Sequence, residues 1–420
     1  MTFEPSSTYR PIAPGSRRRR RTRAVLSFAA AAAVVIGGVA PASATPAAHP
    51  AATITRADSS LPKLNPQALQ QAISSAPNRV TGVLARVSGP AGKWTGTYGV
   101  ADITTQQPVP LDGRFRLGSV TKAFIATVML QLAAEHRVDL DKPVQHYLPG
   151  VMPANYPPIP VRTLLNFTSS LPELTADDMP STPDAIVQHR FDDHPLSELV
   201  AKAVRHERPF TEPGSMQVYG ATGYYVAGML VEKLTGHSYE QEITRRILRP
   251  LHLRHTTAPE TDTTIPGPHA HGYLAVPQPD GKSKLVDVTE QNPGAGGMIS
   301  TTADLDRFLT ALFKGRLLAP AQMKELLAVP GVPYLGGSNQ DPGHGKAYYS
   351  AGLMRVTIPG SDGRPGVTVW GKTGSTYGYT DGMFTTSDLR RRLAYCFNPV
   401  TGGGNDMALV NQIITAAFTA

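Results

Sequence analysis

The chain is predicted to be an α/β protein of the α+β kind: one antiparallel sheet assembled from both ends, flanked by helices, with a large, mostly helical insert. Three observations carry this. Short β-type runs occur towards both ends of the chain. Between them, from Asp139 to about Gln291, Pro and His are frequent and the regular segments have helical spacing. One helix, beginning at Ser119, is apolar nearly all round and must be buried.

A leader precedes all of this. Arg17–Arg21 with Arg23 form a basic stretch, the 17 residues Ala24–Ala40 an apolar one, and Ala42-Ser43-Ala44 a small-residue cleavage site. Together they predict a signal peptide over 1–44, cleaved after Ala44, and a secreted, extracellular protein with no stable membrane span after cleavage. The paired arginines also fit a twin-arginine export signal. Seven arginines and one glutamate lie in 1–44, so six of the chain's +8 charges belong to the leader. The near-neutral remainder calls for no nucleic-acid partner. Cys396 is the only cysteine, which excludes an intrachain disulfide, and it sits in the apolar run Leu393–Phe397 as a buried strand residue.

Residues 45–60 are rich in Ala, Pro and Thr and read as a linker. Pro66–Ala76 has helical composition. Val80–Val87 and Lys93–Val100 read as a hairpin around Ser88–Gly92. Pro195–Arg205 and Tyr224–Thr235 are helices of the middle region, and Thr302–Phe313 and Pro320–Leu327 continue in helical style. Val367–Trp370, Gly382–Thr386 and Arg392–Phe397 are strands, and Asp406–Phe418 closes the chain as a helix. The expected division is an α/β domain from 61–132 and 292–420 with a mostly helical domain, 133–291, between.

Ser119 and Lys122 are the candidate nucleophile and its helper. A serine hydroxyl needs a neighbouring base, and residues at i and i+3 share a helix face. A lysine amine desolvated by an apolar helix has a lowered pKa, and the helix start adds N–H donors for an oxyanion. Alone, Ser-x-x-Lys is a weak signal. Its context is Tyr219-Gly220-Ala221 and then Lys372-Thr373-Gly374, in that order.

With those elements, and with Phe115–Lys122, Val138–Asp141, Leu164–Ser169, Gly228–Gly236, Ile265–Gly267 and Gly296–Ser300, the chain resembles the penicillin-recognising serine hydrolases. It is similar above all to secreted Streptomyces-type D-alanyl-D-alanine carboxypeptidases and class C β-lactamases, with D-aminopeptidases as relatives. The resemblance implies the β-lactamase/DD-peptidase fold and an acyl-enzyme on Ser119. It implies Lys122 assisting deprotonation, and Tyr219 relaying a proton to the leaving nitrogen. Lys372, Thr373 and Gly374 would form the substrate-holding strand, and the N–H groups of Ser119 and Ser375 the oxyanion hole. It calls for no cofactor. The expected partners are a small peptide or amide containing D-amino acids, such as a peptidoglycan stem peptide, with β-lactams as inhibitors.

Three departures shift the expected substrate. The second motif ends in Ala221 where the family has Asn, the third begins with Lys372 where the carboxypeptidases mostly have His, and the carboxylate-binding arginine of that branch falls at Met354, one before Arg355. These point to attack on D-amino-acyl amides, esters or peptides from the amino end. A β-lactamase or esterase is the alternative activity, and a non-catalytic penicillin-binding sensor the alternative of another class.

Two rival motifs fail on context. Gly366–Thr373 spells G-x-x-x-x-G-K-T, but its middle residues are strand formers and Gly374 follows, whereas a phosphate loop opens a helix. His252/His255 and His269/His271 have no Glu or Cys completing a zinc signature, so no metal site is assigned.

Overall fold

A computed structural model of the chain describes residues 61–292, 297–337, 342–360, 363–401 and 406–420. The expected leader and linker lie outside the described residues, as does Gly296 of the matching segments.

In chain order the elements are α1 (Pro66–Ser74), β1 (Val80–Ser88), β2 (Trp94–Gly99), β3 (Phe115–Leu117), α2 (Thr121–Ala134), α3 (Val144–Tyr147), α4 (Val161–Leu165), α5 (Pro183–His189), α6 (Leu196–Ala203), α7 (Thr222–Thr235) and α8 (Tyr239–Ile243). A π-helical turn, Thr244–Leu248, extends α8. There follow β4 (Tyr273–Pro277), β5 (Ser283–Asp287), β6 (Met298–Ser300), α9 (Thr302–Phe313), α10 (Pro320–Leu326), β7 (Met354–Ile358), β8 (Val367–Thr376), β9 (Tyr379–Thr386), β10 (Arg392–Pro399) and α11 (Met407–Phe418).

The main sheet runs β2-β1-β10-β9-β8-β7, antiparallel throughout, so both ends of the chain do build it. Local chemistry sets the helix starts. The Asn65 side chain accepts from Gln67 N and Ala68 N at 3.1 Å with Pro66 at the first position of α1, and Thr301 accepts from Asp304 N at 3.2 Å to open α9. Helix α9 lies on the sheet face that carries Arg86, Ser88 and Arg392, its Asp306 bonding both Ser88 and Arg392, while α1 and α11 pack on the sheet's other side. Helix α2 is buried along nearly its whole length, with Phe124 stacked on Phe308 of α9 at 3.9 Å and 15°. No helix among the described residues is long and apolar enough to cross a membrane.

The region expected to be helical also carries a hairpin, β4–β5, and two short strands elsewhere, β3 and β6, pair with each other, Ile299 of β6 also bridging Thr257. Three-residue strands are too short to show a period, and β5 is exposed on most residues, so neither has the apolar alternation that marks a strand. The strand read as Val367–Trp370 continues to Thr376, through Gly371 and Gly374. Those glycines weaken the strand signal, yet each is covered: a Cβ at Gly371 would lie 2.4 Å from the Phe384 ring, and one at Gly374 2.5 Å from the Asp381 carboxylate.

Arg391, fully buried, ties both chain ends to the sheet. It donates to Ala417 O at 3.1 Å in α11 and to Pro62 O and Ala91 O, each at 2.6 Å. Arg391→Leu leaves three carbonyls without their donor and is expected to lower stability by about 3 kcal/mol. A denaturant midpoint unchanged from the parent would contradict that.

Candidate active site

Strand β3 leads into a turn, Gly118–Val120, from which α2 starts at Thr121, two residues after Ser119. The turn is tightened by Thr121 N to Gly118 O (3.0 Å), Lys122 N to Ser119 O (3.1 Å) and Ala123 N to Val120 O (3.0 Å), which keeps the i, i+3 relation. Lys122 Nζ stands 3.1 Å from Ser119 Oγ. Burial lowers the Lys122 pKa to about 8, the nearby Glu173 carboxylate opposing that fall.

Tyr219, from the loop before α7, lies between two lysines: its ring is 5.5 Å from Lys122 Nζ and 4.6 Å from Lys372 Nζ. Its hydroxyl is buried without a hydrogen-bond partner of normal geometry among the described residues. Burial pushes the phenol well up, and the neighbouring Ser119 offsets part of that. Tyr219 therefore stays protonated at ordinary pH. Its ring is packed by Phe167 at 4.8 Å and Tyr349 at 4.9 Å. Behind it, the fully buried Gln217 donates to Asn166 O (2.8 Å) and Tyr349 O (2.9 Å) and accepts from Tyr348 N (3.0 Å) and Tyr349 N (3.1 Å). Phe167 holds a left-handed backbone (φ 62°), which a bulky residue adopts only when its surroundings impose it.

Lys372 and Gly374 share one face of β8, and Thr373, opposite Gly382, projects from the other. Lys372 Nζ is fully buried and donates to Thr373 O at 2.8 Å. Burial and the Lys122 charge hold its pKa well down, while Asp381 opposes them. Pairing with β7 ends at Gly371 whereas pairing with β9 runs to Thr376, so Lys372–Thr376 have one edge not paired to β7. Such an edge can take an extended substrate. The Ser119 turn abuts it: a Cβ on Gly118 would lie 2.4 Å from Ser375 N. The structure thus brings Ser119, Lys122, Tyr219, Lys372, Gly374 and Ser375 to one place, with Thr373 contributing its carbonyl.

Two carboxylates of this place carry no sequence motif. Glu173, partly buried, accepts from Ala221 N at 2.7 Å and Thr222 N at 3.1 Å at the start of α7. Burial raises its pKa, against those N–H donors and Lys122. A Cβ on Gly220 would lie 2.0 Å from its Oε1, so Glu173 occupies the ground beside Ala221. Asp381 lies under Gly374. For Asp381 a signal existed: an acidic residue inside a strand that is buried at every position.

Met354 is buried opposite Gly371, and Arg355 beside it is exposed, opposite Trp370. Residues 367–373 of the phosphate-loop lettering lie along β8, which turns into β9 and opens no helix. His271 bonds Asp287 at 2.6 Å and His255 meets Arg114 at 2.9 Å; among the described residues no three His, Cys, Asp or Glu are grouped to hold a metal.

The Beta-lactamase family profile matches residues 69–412. The chain belongs to the β-lactamase family. It is a serine hydrolase of the β-lactamase and penicillin-binding protein superfamily. Among solved structures similar to this family member, the D-stereospecific amidohydrolase from Streptomyces sp. is 35% identical. Its alignment covers 84% of this chain and 98% of that one, with a TM-score of 0.70. The D-amino acid amidase from Ochrobactrum anthropi SV3, solved with L-phenylalanine amide, is 29% identical, covering 83% and 97%, with a TM-score of 0.66. Protein flp of Staphylococcus aureus (strain N315) is 27% identical over 239 residues, 55% of this chain, and the match spans only 44% of that protein's length.

Proposed function

We propose that this β-lactamase-family protein hydrolyses D-amino-acyl amides and short peptides from their amino end, through an ester on Ser119. Lys122 takes the Ser119 proton as Oγ adds to the carbonyl carbon. The N–H groups of Ser119 and Ser375 hold the oxyanion. When the C–N bond breaks, the leaving amine takes a proton from Tyr219, which the Lys122 ammonium restores, and water or a second amine then releases the acyl group. The two structural neighbours, an amidohydrolase and an amidase of D-amino acids, support the substrate class.

The observation that carries the reading is Glu173. Its carboxylate has accepting capacity beyond the bonds to Ala221 N and Thr222 N, and it stands near Lys122 where Ala221 offers no side-chain amide. That is a counter-ion for a substrate's α-ammonium. Conversely, Met354 provides no cation for a terminal carboxylate, and Lys372 is already engaged with Thr373 O and the Tyr219 ring.

The reading is tested by comparing D-alanine amide with acetyl-D-Ala-D-Ala. The free-amine amide is expected to have the higher kcat/KM by about 100-fold, the scale of one buried ion pair. A preference for the acetylated dipeptide would overturn it. We include export in the proposal: a product secreted by cells expressing the full chain should begin at Thr45.

A further inference from the structure

The proposed mechanism does not use Asp381, although this carboxylate is fully buried and bonded to the residue before the nucleophile. Strand register accounts for its placement. Asp381 stands opposite Gly374, Met383 opposite Lys372, so the acid and the lysine are diagonal neighbours on one face of the sheet. Asp381 Oδ1 accepts the Gly118 N–H at 2.9 Å, from the residue immediately before Ser119. Its Oδ2 is buried with no hydrogen-bond partner among the described residues. Both glycines make the arrangement possible: a side chain at Gly374 would strike the carboxylate and one at Gly118 would strike Ser375.

The geometry points to Asp381 as a positioning residue for acyl transfer. Its Oδ1 pins the nucleophile turn to β9, beneath Gly374 of β8, and its charge is the buried counter-charge that favours the ammonium form of Lys372. This rests on the reading of Ser119 as nucleophile. The groups facing Asp381 are the Gly118 N–H, Lys372 on β8, and Tyr395 and Cys396 on β10, with Lys122 acting in turn on Lys372. Other charges on the elements packed against β9 are engaged elsewhere. Asp304 is taken by Thr256 and Arg307, Asp306 by Ser88 and Arg392, and Arg116 by the Thr289 and Thr263 carbonyls. Burial pushes the Asp381 carboxyl up to about 7, against Gly118 N–H and Lys372, so its charge changes in the working pH range.

The two roles separate in two variants. Asp381→Asn keeps an acceptor for Gly118 and loses the charge; Asp381→Ala loses both. Without the counter-charge Lys372 gives up its proton at lower pH, and the cation beside the Tyr219 ring is lost. The probe is a fluorophosphonate, which phosphonylates an activated serine whatever the natural substrate, followed as labelling rate against pH with the site located by peptide mapping. Ser119 is expected to be labelled in the parent. In Asp381→Asn the part of the rise near pH 7 that comes from Asp381 ionising should be lost, leaving the rate close to the parent's well below pH 7 and about tenfold lower above it. In Asp381→Ala it should be about 100-fold lower at every pH. A profile for Asp381→Asn that superposes on the parent, or one that matches Asp381→Ala, overturns the inference. So does a parent whose Ser119 is not labelled, which would remove the nucleophile beneath it. Labelling of Ser119 with no turnover of any D-amino-acyl substrate would instead sink the proposed function and leave this inference standing.

Discussion

Ser119→Ala is expected to reduce hydrolysis of D-phenylalanine amide by about 10,000-fold or more, the scale seen when a serine nucleophile is removed. The variant should retain the parent's circular dichroism and melting temperature, because Ser119 sits in the turn before α2 and its hydroxyl meets Lys122 and the neighbouring Tyr219 rather than the core. Lys122→Met should approach the same loss by another route. With a pKa of about 8, roughly one Lys122 amine in ten is neutral at pH 7. It is therefore the available base, while the buried Tyr219 phenol keeps its proton and serves as donor to the leaving amine. The rate should rise with pH as Lys122 loses its proton, and Lys122→Met should abolish that rise. Residual activity above a tenth of the parent in Ser119→Ala, at matched stability, would place the nucleophile elsewhere.

Glu173→Gln is expected to lower kcat/KM for D-phenylalanine amide by about 100-fold through loss of the counter-ion to the substrate's α-ammonium. A glutamine oxygen at the Oε2 place still accepts from Ala221 N at 2.7 Å and from Thr222 N at 3.4 Å, so the start of α7 is kept and the loss reports on charge. The diagnostic contrast is the N-acetylated amide, which has no ammonium. Its kcat/KM should be unchanged or raised in Glu173→Gln. An equal fall for both substrates, measured by steady-state kinetics, would make Glu173 a structural cap of α7 only.

What the sequence made legible here has a physical pattern. Ser119 and Lys122 are three apart on one helical turn, so their contact is a local consequence of backbone geometry. The strands β1, β2 and β10 were readable because their residues alternate or run apolar over at least six positions. The far reach of β8 was not, because Gly371 and Gly374 are poor strand formers until Phe384 and Asp381 cover them. Glu173 is 51 positions from Lys122 and Asp381 is 262 from Ser119; only the assembled sheet and α7 bring them in. Gln217 likewise has no motif, and its role depends on carbonyls and N–H groups of Asn166, Tyr348 and Tyr349 that meet only in the fold. The departures at Ala221 and Met354 were visible as missing groups, whereas the acid standing beside Ala221 was not.

The proposed hydrolysis passes through one covalent species, a D-amino-acyl ester on Ser119 formed from a substrate with a free amine. Its most direct test is the mass of the enzyme quenched within milliseconds of mixing with D-phenylalanine methyl ester, followed by peptide mapping. The expected result is one phenylalanyl group on the peptide containing Ser119, absent in Ser119→Ala and absent with the N-acetylated ester. A phenylalanyl adduct on any other residue, or an adduct on Ser119 from the N-acetylated ester alone, would contradict it.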